Sequence, residues 1–298
     1  MNKIEYRQQR EVKMAVIFCD TDCELWHTTA KELGVEVIKM PYSVEIEEYY
    51  YDLGEKTDIA DFFSQMEKGA KVSTAGLNEQ TYIDYFEPYF KKGEDILYIA
   101  FSSKMSSTFL HMDNAVQKLS KKYPNVKFVK FDTLNISLGA GILVYLGAKY
   151  FKEHNQDIEK TCEYLTSIRD KVEVLFVVND LKYLARGGRI SKAKATIANI
   201  MNVKPILTVN KEGEIDVATK VNGSKKAFKY LVNKVIEEYS TTEDAPIFLV
   251  DTISNNMVDK LEEEILQSIK AKVVKQPIGP VIGAHCGPGT FGIIYIKK

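Results

Sequence analysis

Arginine is scarce in this chain. Of its 40 lysines and arginines, only residues 7, 10, 169, 186 and 189 are arginine, and two of those flank a pair of glycines in LARGGRISKA (184–193). The formal net charge of -1 excludes a global pull toward nucleic acid or an anionic membrane, although a local basic patch remains allowed. Cysteine is sparse too: Cys19, Cys23, Cys162 and Cys286 form no C-x-x-C pair, and no histidine stands at zinc-finger spacing from them. A disulfide framework is not expected in a chain of 298 residues with four cysteines, and a reducing cytoplasm fits better. No apolar run approaches the ~18 residues of a membrane span. The opening MNKIEYRQQREVK is polar and charged, unlike a secretory signal, and reads as a lead-in. The phosphate loop G-x-x-x-x-G-K-[ST] is absent, as are internal repeats and low-complexity segments.

What is present is an ordinary globular composition, 45% hydrophobic and 27% charged, in a chain long enough for one large or two medium domains. Apolar strand-like runs at 14–20, 95–101 and 126–132 alternate with helical periodicity at 24–34, 58–69, 78–93, 108–123 and 137–151. VEVIKMPYSV (35–44) reads as a strand broken at Pro41. Such alternation predicts a parallel α/β sheet with right-handed crossovers. After a helix at 157–172 the pattern changes. Strands at 172–178, 204–209 and 214–221 include a hairpin around NKEG. Helices are expected at 179–185, 190–201, 223–239 and 255–270, and further strands at 245–251 and 291–298. The expectation is an α/β protein of two domains, a parallel N-terminal one (14–165) and a mixed-sheet C-terminal one (166–298), with a ligand pocket between them.

Four segments could carry chemistry. SSKMSST (102–108) lies between a strand end and a helix start, where unpaired N–H groups favour an anion; equally, Ser106 or Ser107 is a plain helix cap. KVSTAGLN (71–78) offers Ser73 and Thr74 to the same pocket, or simply caps the next helix. Arg186 and Arg189 suit planar recognition of carboxylate or phosphate, against a plain helix end capped by Gly187. In VIGAHCGPGTFG (281–292), adjacent His285 and Cys286 raise a thiolate-nucleophile alternative, although no third group orients them. Asp20, Asp22 and Asp132, at or just past strand ends, raise a magnesium alternative against ordinary turn capping.

Taken in order, the D-T-D after the first strand, VSTAGLN, DILYIAFSSKMSST, FDTLNISLG, NDLKYLARGGRISKAKA, NVKPIL, KVNGSKKAF and IGPVIGAHCGPGTFG resemble the DegV family of bacterial fatty-acid-binding proteins over nearly the whole chain from Met14. The resemblance implies a cytoplasmic carrier rather than an enzyme, with no cofactor and no metal. A long-chain fatty acid would be buried between the domains. Its carboxylate would be held by Ser73, Thr74, Ser102, Ser103 and His285, and presented to a separate ATP-dependent fatty acid kinase for phospholipid synthesis. Arg189, and Arg186 beside it, would lie near the head group or the kinase-docking face. Gly283, Gly287 and Gly289 would shape the histidine loop and let the backbone pass close to the ligand. Neither nucleic acid nor stable membrane insertion is expected.

Departures from the family pattern are Ser107 for glycine, Cys286 for threonine, and Asn222 and Ser224 for basic residues. The last pair bears on kinase docking. The competing readings are a thiol-dependent hydrolase built on Cys286 and a phosphate-ester binding module built on the serine turn and Arg189.

Overall fold

The structure is a computed structural model that describes residues 14–106, 108–190, 203–252 and 257–298. The helix expected at 190–201, apart from its first residue, and Ser107 lie outside the described residues. Among the described residues no helix is long and apolar enough to cross a membrane.

The first half builds the predicted parallel sheet. Strands β1 (Ala15–Asp20), β2 (Val35–Ile38), β6 (Asp95–Ala100) and β7 (Phe128–Asp132) lie in the order β2-β1-β6-β7, every pair parallel. The run DILYIA is buried at every position but its first, as a central strand covered on both faces requires. Helices α1 (His27–Leu33), α2 (Ile59–Glu67), α3 (Glu79–Lys92) and α4 (Phe109–Lys122) occupy this half, and helices α1 and α3 end on left-handed glycines, Gly34 and Gly93.

Pro41 does more than interrupt a strand. It opens β3 (Pro41–Val44), which joins β4 (Glu47–Tyr50) and β5 (Val72–Thr74) in a separate antiparallel sheet, order β4-β3-β5. This sheet was not expected from the sequence, because EEYY in β4 is exposed throughout and lacks the alternation that marks a half-buried strand.

The second sheet is mixed, as predicted. It has six strands: β8 (Val172–Val177), β9 (Val203–Val209), β10 (Ile215–Asn222), β11 (Ile247–Asp251), β12 (Val273–Pro277) and β13 (Phe291–Ile296), in the order β10-β9-β8-β13-β11-β12. The β9–β10 hairpin turns at Gly213, where φ is +83°. Only β11 and β12 pair in parallel. Period-two alternation divides β13 between two cores. Phe291, Ile293 and Tyr295 pack in an outer core with helices α8 (Ser224–Glu238) and α9 (Met257–Ser268), whereas Ile294 and Ile296 join the inner core.

That inner core runs continuously from the parallel sheet to the mixed one. Its centre is α5 (Leu138–Glu153), followed by α6 (Ile158–Arg169). Helix α5 is buried nearly all round and packs against β6 on one side and β8 and β13 on the other. Small residues permit that double contact. A Cβ on Gly139 would lie 2.5 Å from Val174, and one on Gly141 would lie 2.4 Å from the Cys23 carbonyl oxygen.

The segment VIGAHCGPGTFG also differs from the expected glycine loop. Its first half is helical, not a loop: α10 (Pro280–Cys286) follows the short α7 (Lys182–Arg186) in chain order by nearly a hundred residues, yet packs on it, on β5 and on α2. Pro280 at the first turn is pre-set for helix.

Candidate functional site

A partly open cavity of about 190 Å³ lies between the parallel and the mixed sheet. A single water needs roughly 10–15 Å³ on the same measure, so this is space for an organic ligand. Its wall is mostly apolar, with Met40, Phe101 and Ile136 from the first half and Val281, Ile282 and Ile294 from the second.

Four of the polar wall residues form one connected patch, while Asp22, Ser137 and Thr290 line the wall apart from it. The hydroxyl of Thr74, at the end of β5, lies 2.9 Å from His285 Nε2 on the last turn of α10. Gly187 covers the other side of the imidazole, so closely that a Cβ there would lie 2.3 Å from Nδ1. The Gly187 carbonyl accepts a hydrogen bond from the Arg189 guanidinium, whose Nε–H also donates to the Met105 carbonyl at 3.2 Å. Ser106, next to Met105, lines the cavity as well. Thr74, His285, Arg189 and Ser106 thus come from four distant segments and meet.

Burial, and then the charges of Arg189 and Arg186, push the His285 pKa down to about 4. The ring is therefore neutral at pH 7. With its proton on Nε2 it donates to Thr74, which leaves the Thr74 O–H to donate into the cavity. The patch is positive in field, through Arg189, and rich in neutral donors. That suits a carboxylate approaching from an apolar cavity.

Of the five residues expected to converge, Thr74 and His285 do so and three do not. Ser73 points away from the cavity and is exposed. Ser102 is fully buried, but its hydroxyl donates to the Gly213 carbonyl at 2.7 Å and ties the end of β6 to the β9–β10 turn. Ser103 is exposed, and its N–H donates to Asp132. Ser106 takes the wall position, and its hydroxyl also accepts from the Thr108 N–H at 3.3 Å, in keeping with the capping role read from the sequence. The α4 cap residue is Thr108, whose hydroxyl shares a hydrogen bond with Tyr82 at 2.6 Å. Arg186 is exposed and lies over the Tyr183 ring, 5.4 Å from its centroid, outside the cavity wall.

The glycines shape packing rather than a ligand surface. A Cβ on Gly283 would lie 2.6 Å from Phe63, one on Gly287 2.2 Å from Tyr183, and one on Gly289 3.0 Å from Asn179. The first lets α10 approach α2. The other two also carry left-handed backbone, both at φ +77°.

Cys286 lines the cavity, but burial pushes its thiol up to about 12. At neutral pH such a thiol holds its proton. Its hydrogen-bond partner is the Gly283 carbonyl, whereas His285 is directed at Thr74. The nucleophile pair therefore lacks both thiolate and base. The magnesium alternative fares no better, since among the described residues no group of three or more His, Cys, Asp or Glu side chains could hold a metal ion. Asp132 caps its own turn through the Leu134 N–H, and Asp20 accepts from the Tyr98 hydroxyl.

One positioning residue escaped the sequence reading. Glu24 is wholly buried, with Oε2 accepting from the Gly279 N–H at 2.8 Å and its own carbonyl accepting from Gln276 at 2.5 Å. Gly279 is the residue before α10, so Glu24 fixes the start of the helix that carries His285. Burial pushes its carboxyl up to about 8.

Comparison with known proteins identifies the family of the chain. A family model described as "Uncharacterised protein, DegV family" matches residues 14–298. The chain is 33% identical to the DegV domain-containing protein YteA of Lactococcus lactis, over 95% of this chain and 97% of that one. Among solved structures it resembles a fatty acid binding DegV family protein from Streptococcus agalactiae (25% identity, TM-score 0.80, 95% and 99% of the two chains). It also resembles a DegV family protein from Thermus thermophilus whose fatty acid binding was described (24% identity, TM-score 0.83, 96% and 100%). A sequence match of this length, on a fold shared from the parallel sheet to β13, makes the chain a member of the DegV family.

Proposed function

We propose that the cavity holds a long-chain fatty acid. The acyl chain lies along the apolar wall, and the carboxylate meets Thr74, Ser106, Arg189 and His285. The protein is then a carrier, acting in the cytoplasm without a cofactor of its own. It presents the carboxylate to a separate ATP-dependent fatty acid kinase. The observation that carries this reading is the connected patch of Thr74, His285, Arg189 and Ser106 in a largely apolar cavity. Each buried methylene contributes about 0.8 kcal/mol, so the acyl chain supplies most of the affinity. The patch has only to avoid stranding a carboxylate. Fatty acid binding by the Streptococcus agalactiae and Thermus thermophilus relatives supports the same ligand class.

Arg189 supports presentation rather than capture. Its Nε–H and one N–H of Nη1 are spent on the Met105 and Gly187 carbonyls, so it lends charge while the side-on two-pronged clamp through Nε, which would compete with phosphoryl transfer, is closed. Exposed Arg186 stands beside it as a candidate for partner docking.

The test has two stages. Protein purified from bacterial cells, denatured and extracted, should release a long-chain fatty acid visible by mass spectrometry. Loaded protein should then support acyl-phosphate formation by a fatty acid kinase with ATP. A protein that is empty in every preparation and does not take up palmitate would falsify the reading.

A further inference from the structure

Among the described residues, two buried polar atoms on the cavity wall have no hydrogen-bond partner: Asp22 Oδ1 and Ser137 Oγ. Asp22 is 6% exposed and Ser137 7%. An unpaired buried polar group is unfavourable, and one such group on a wall that a plain acyl chain would cover gains nothing from that chain.

The two groups sit on adjoining elements. Asp22 belongs to the 3-10 turn Thr21–Cys23, which packs against α5, and Ser137 is the residue that caps α5. As a cap, its hydroxyl would be expected to accept from an N–H of the first turn, yet it makes no such bond. Its backbone is held at φ +49°, in the left-handed region that serine enters at a cost. Asp22 also feels the charge of Arg189, as His285 does, which puts Asp22 toward the polar patch, and Ser137 lines the same cavity.

We propose that Asp22 and Ser137 form a second polar subsite that selects fatty acids carrying a hydroxyl group in the carboxyl-proximal half of the chain. A hydroxyl both donates and accepts. It can donate to Asp22 Oδ1 and accept from the Ser137 O–H, which removes both unpaired atoms at once. This deepens the fatty-acid reading and rests on it.

The experiment compares delipidated full-length protein titrated with palmitate, 2-hydroxypalmitate and 3-hydroxypalmitate by calorimetry. At least one hydroxylated acid should bind about tenfold more tightly than palmitate, as two added hydrogen bonds would give. Asp22→Ala should bring that ratio close to one. Ser137→Gly should do the same, and it suits the left-handed backbone, so it guards against a variant that fails to fold. Palmitate binding with no preference for either hydroxylated acid overturns the subsite, with water the natural occupant of those two groups, and leaves the carrier reading intact. A preference that survives both substitutions also overturns it. If palmitate itself does not bind, the fatty-acid reading falls and this inference with it.

Discussion

Thr74 Oγ1 and His285 Nε2, 211 residues apart in sequence, lie 2.9 Å from each other and join β5 to α10 across the mouth of the polar patch. The contact holds the imidazole in one orientation. Substituting Thr74→Val or His285→Ala should lower fatty acid affinity about tenfold, the usual scale for a lost hydrogen bond to a charged group. The double variant should cost little more than either single one, because the two act as a unit. Displacement of a fluorescent fatty acid measures all three.

Gly187 offers a cleaner probe of the same imidazole. Its φ is -71°, so alanine is tolerated by the backbone, but the new methyl would meet His285 Nδ1. Gly187→Ala should therefore weaken binding as His285→Ala does, with a small change in melting temperature. Gly188→Ala is the control. It stands at φ +73° with open space around its missing Cβ, and should lose about 1 kcal/mol of stability while ligand affinity holds.

Glu24 should make stability fall with rising pH. Its folded pKa, about 8, stands above the ordinary 4.5, so the folded state holds this proton more tightly than the unfolded chain. The stabilisation is complete below about pH 4.5 and is lost as pH rises through 8. His285, pushed down from 6.5 to about 4, works the other way and loses its contribution as pH falls through 4. Their effects oppose each other between about pH 4.5 and 6.5. The window from 6.5 to 8 is left to Glu24, with raised Asp22 adding the same sign. Chemical denaturation across that window should show stability dropping by up to ~1.4 kcal/mol per pH unit for one proton. Glu24→Gln should flatten the slope, and an unchanged slope in that variant would count against Glu24.

The thiols should separate by burial. Cys19, Cys23 and Cys286 are buried, and Cys162 is half-buried. Native protein treated with iodoacetamide should gain one adduct, at Cys162, while denatured protein gains four. Cys286→Ala should leave fatty acid affinity within about twofold, since the thiol supplies no strong donor to the cavity.

The parallel sheet and the β9–β10 hairpin were legible in the sequence because each signal is local: an apolar run, a helical period, a glycine at a turn. Helix α10 was not, since Gly283, Gly287 and Gly289 read as loop. What makes Pro280–Cys286 helical is Pro280 at the start and the space that Gly283 leaves for Phe63, a contact made 220 residues away in sequence. The serines failed for the same reason. Nothing local distinguishes Ser102 from Ser106. The Gly213 carbonyl, 111 residues downstream, takes the hydroxyl of Ser102. Asp22 and Glu24 look like ordinary turn acids, and only the fold buries them.

The position of β13 has a consequence for how the molecule comes together. It is the latest in sequence of the six strands of the mixed sheet, yet it lies third from one edge, hydrogen-bonded to β8 and β11. Without it, β10-β9-β8 and β11-β12 are two fragments with no ladder between them. Both hydrophobic cores and the Ile294 part of the cavity wall wait on the same six residues. On a translating ribosome the parallel sheet can form early from nearby segments, whereas the pocket closes only when Phe291–Ile296 emerges and inserts. Chains stalled before that strand would expose two unpaired sheet edges, which makes this segment the point at which a nascent chain is most open to chaperones and to aggregation.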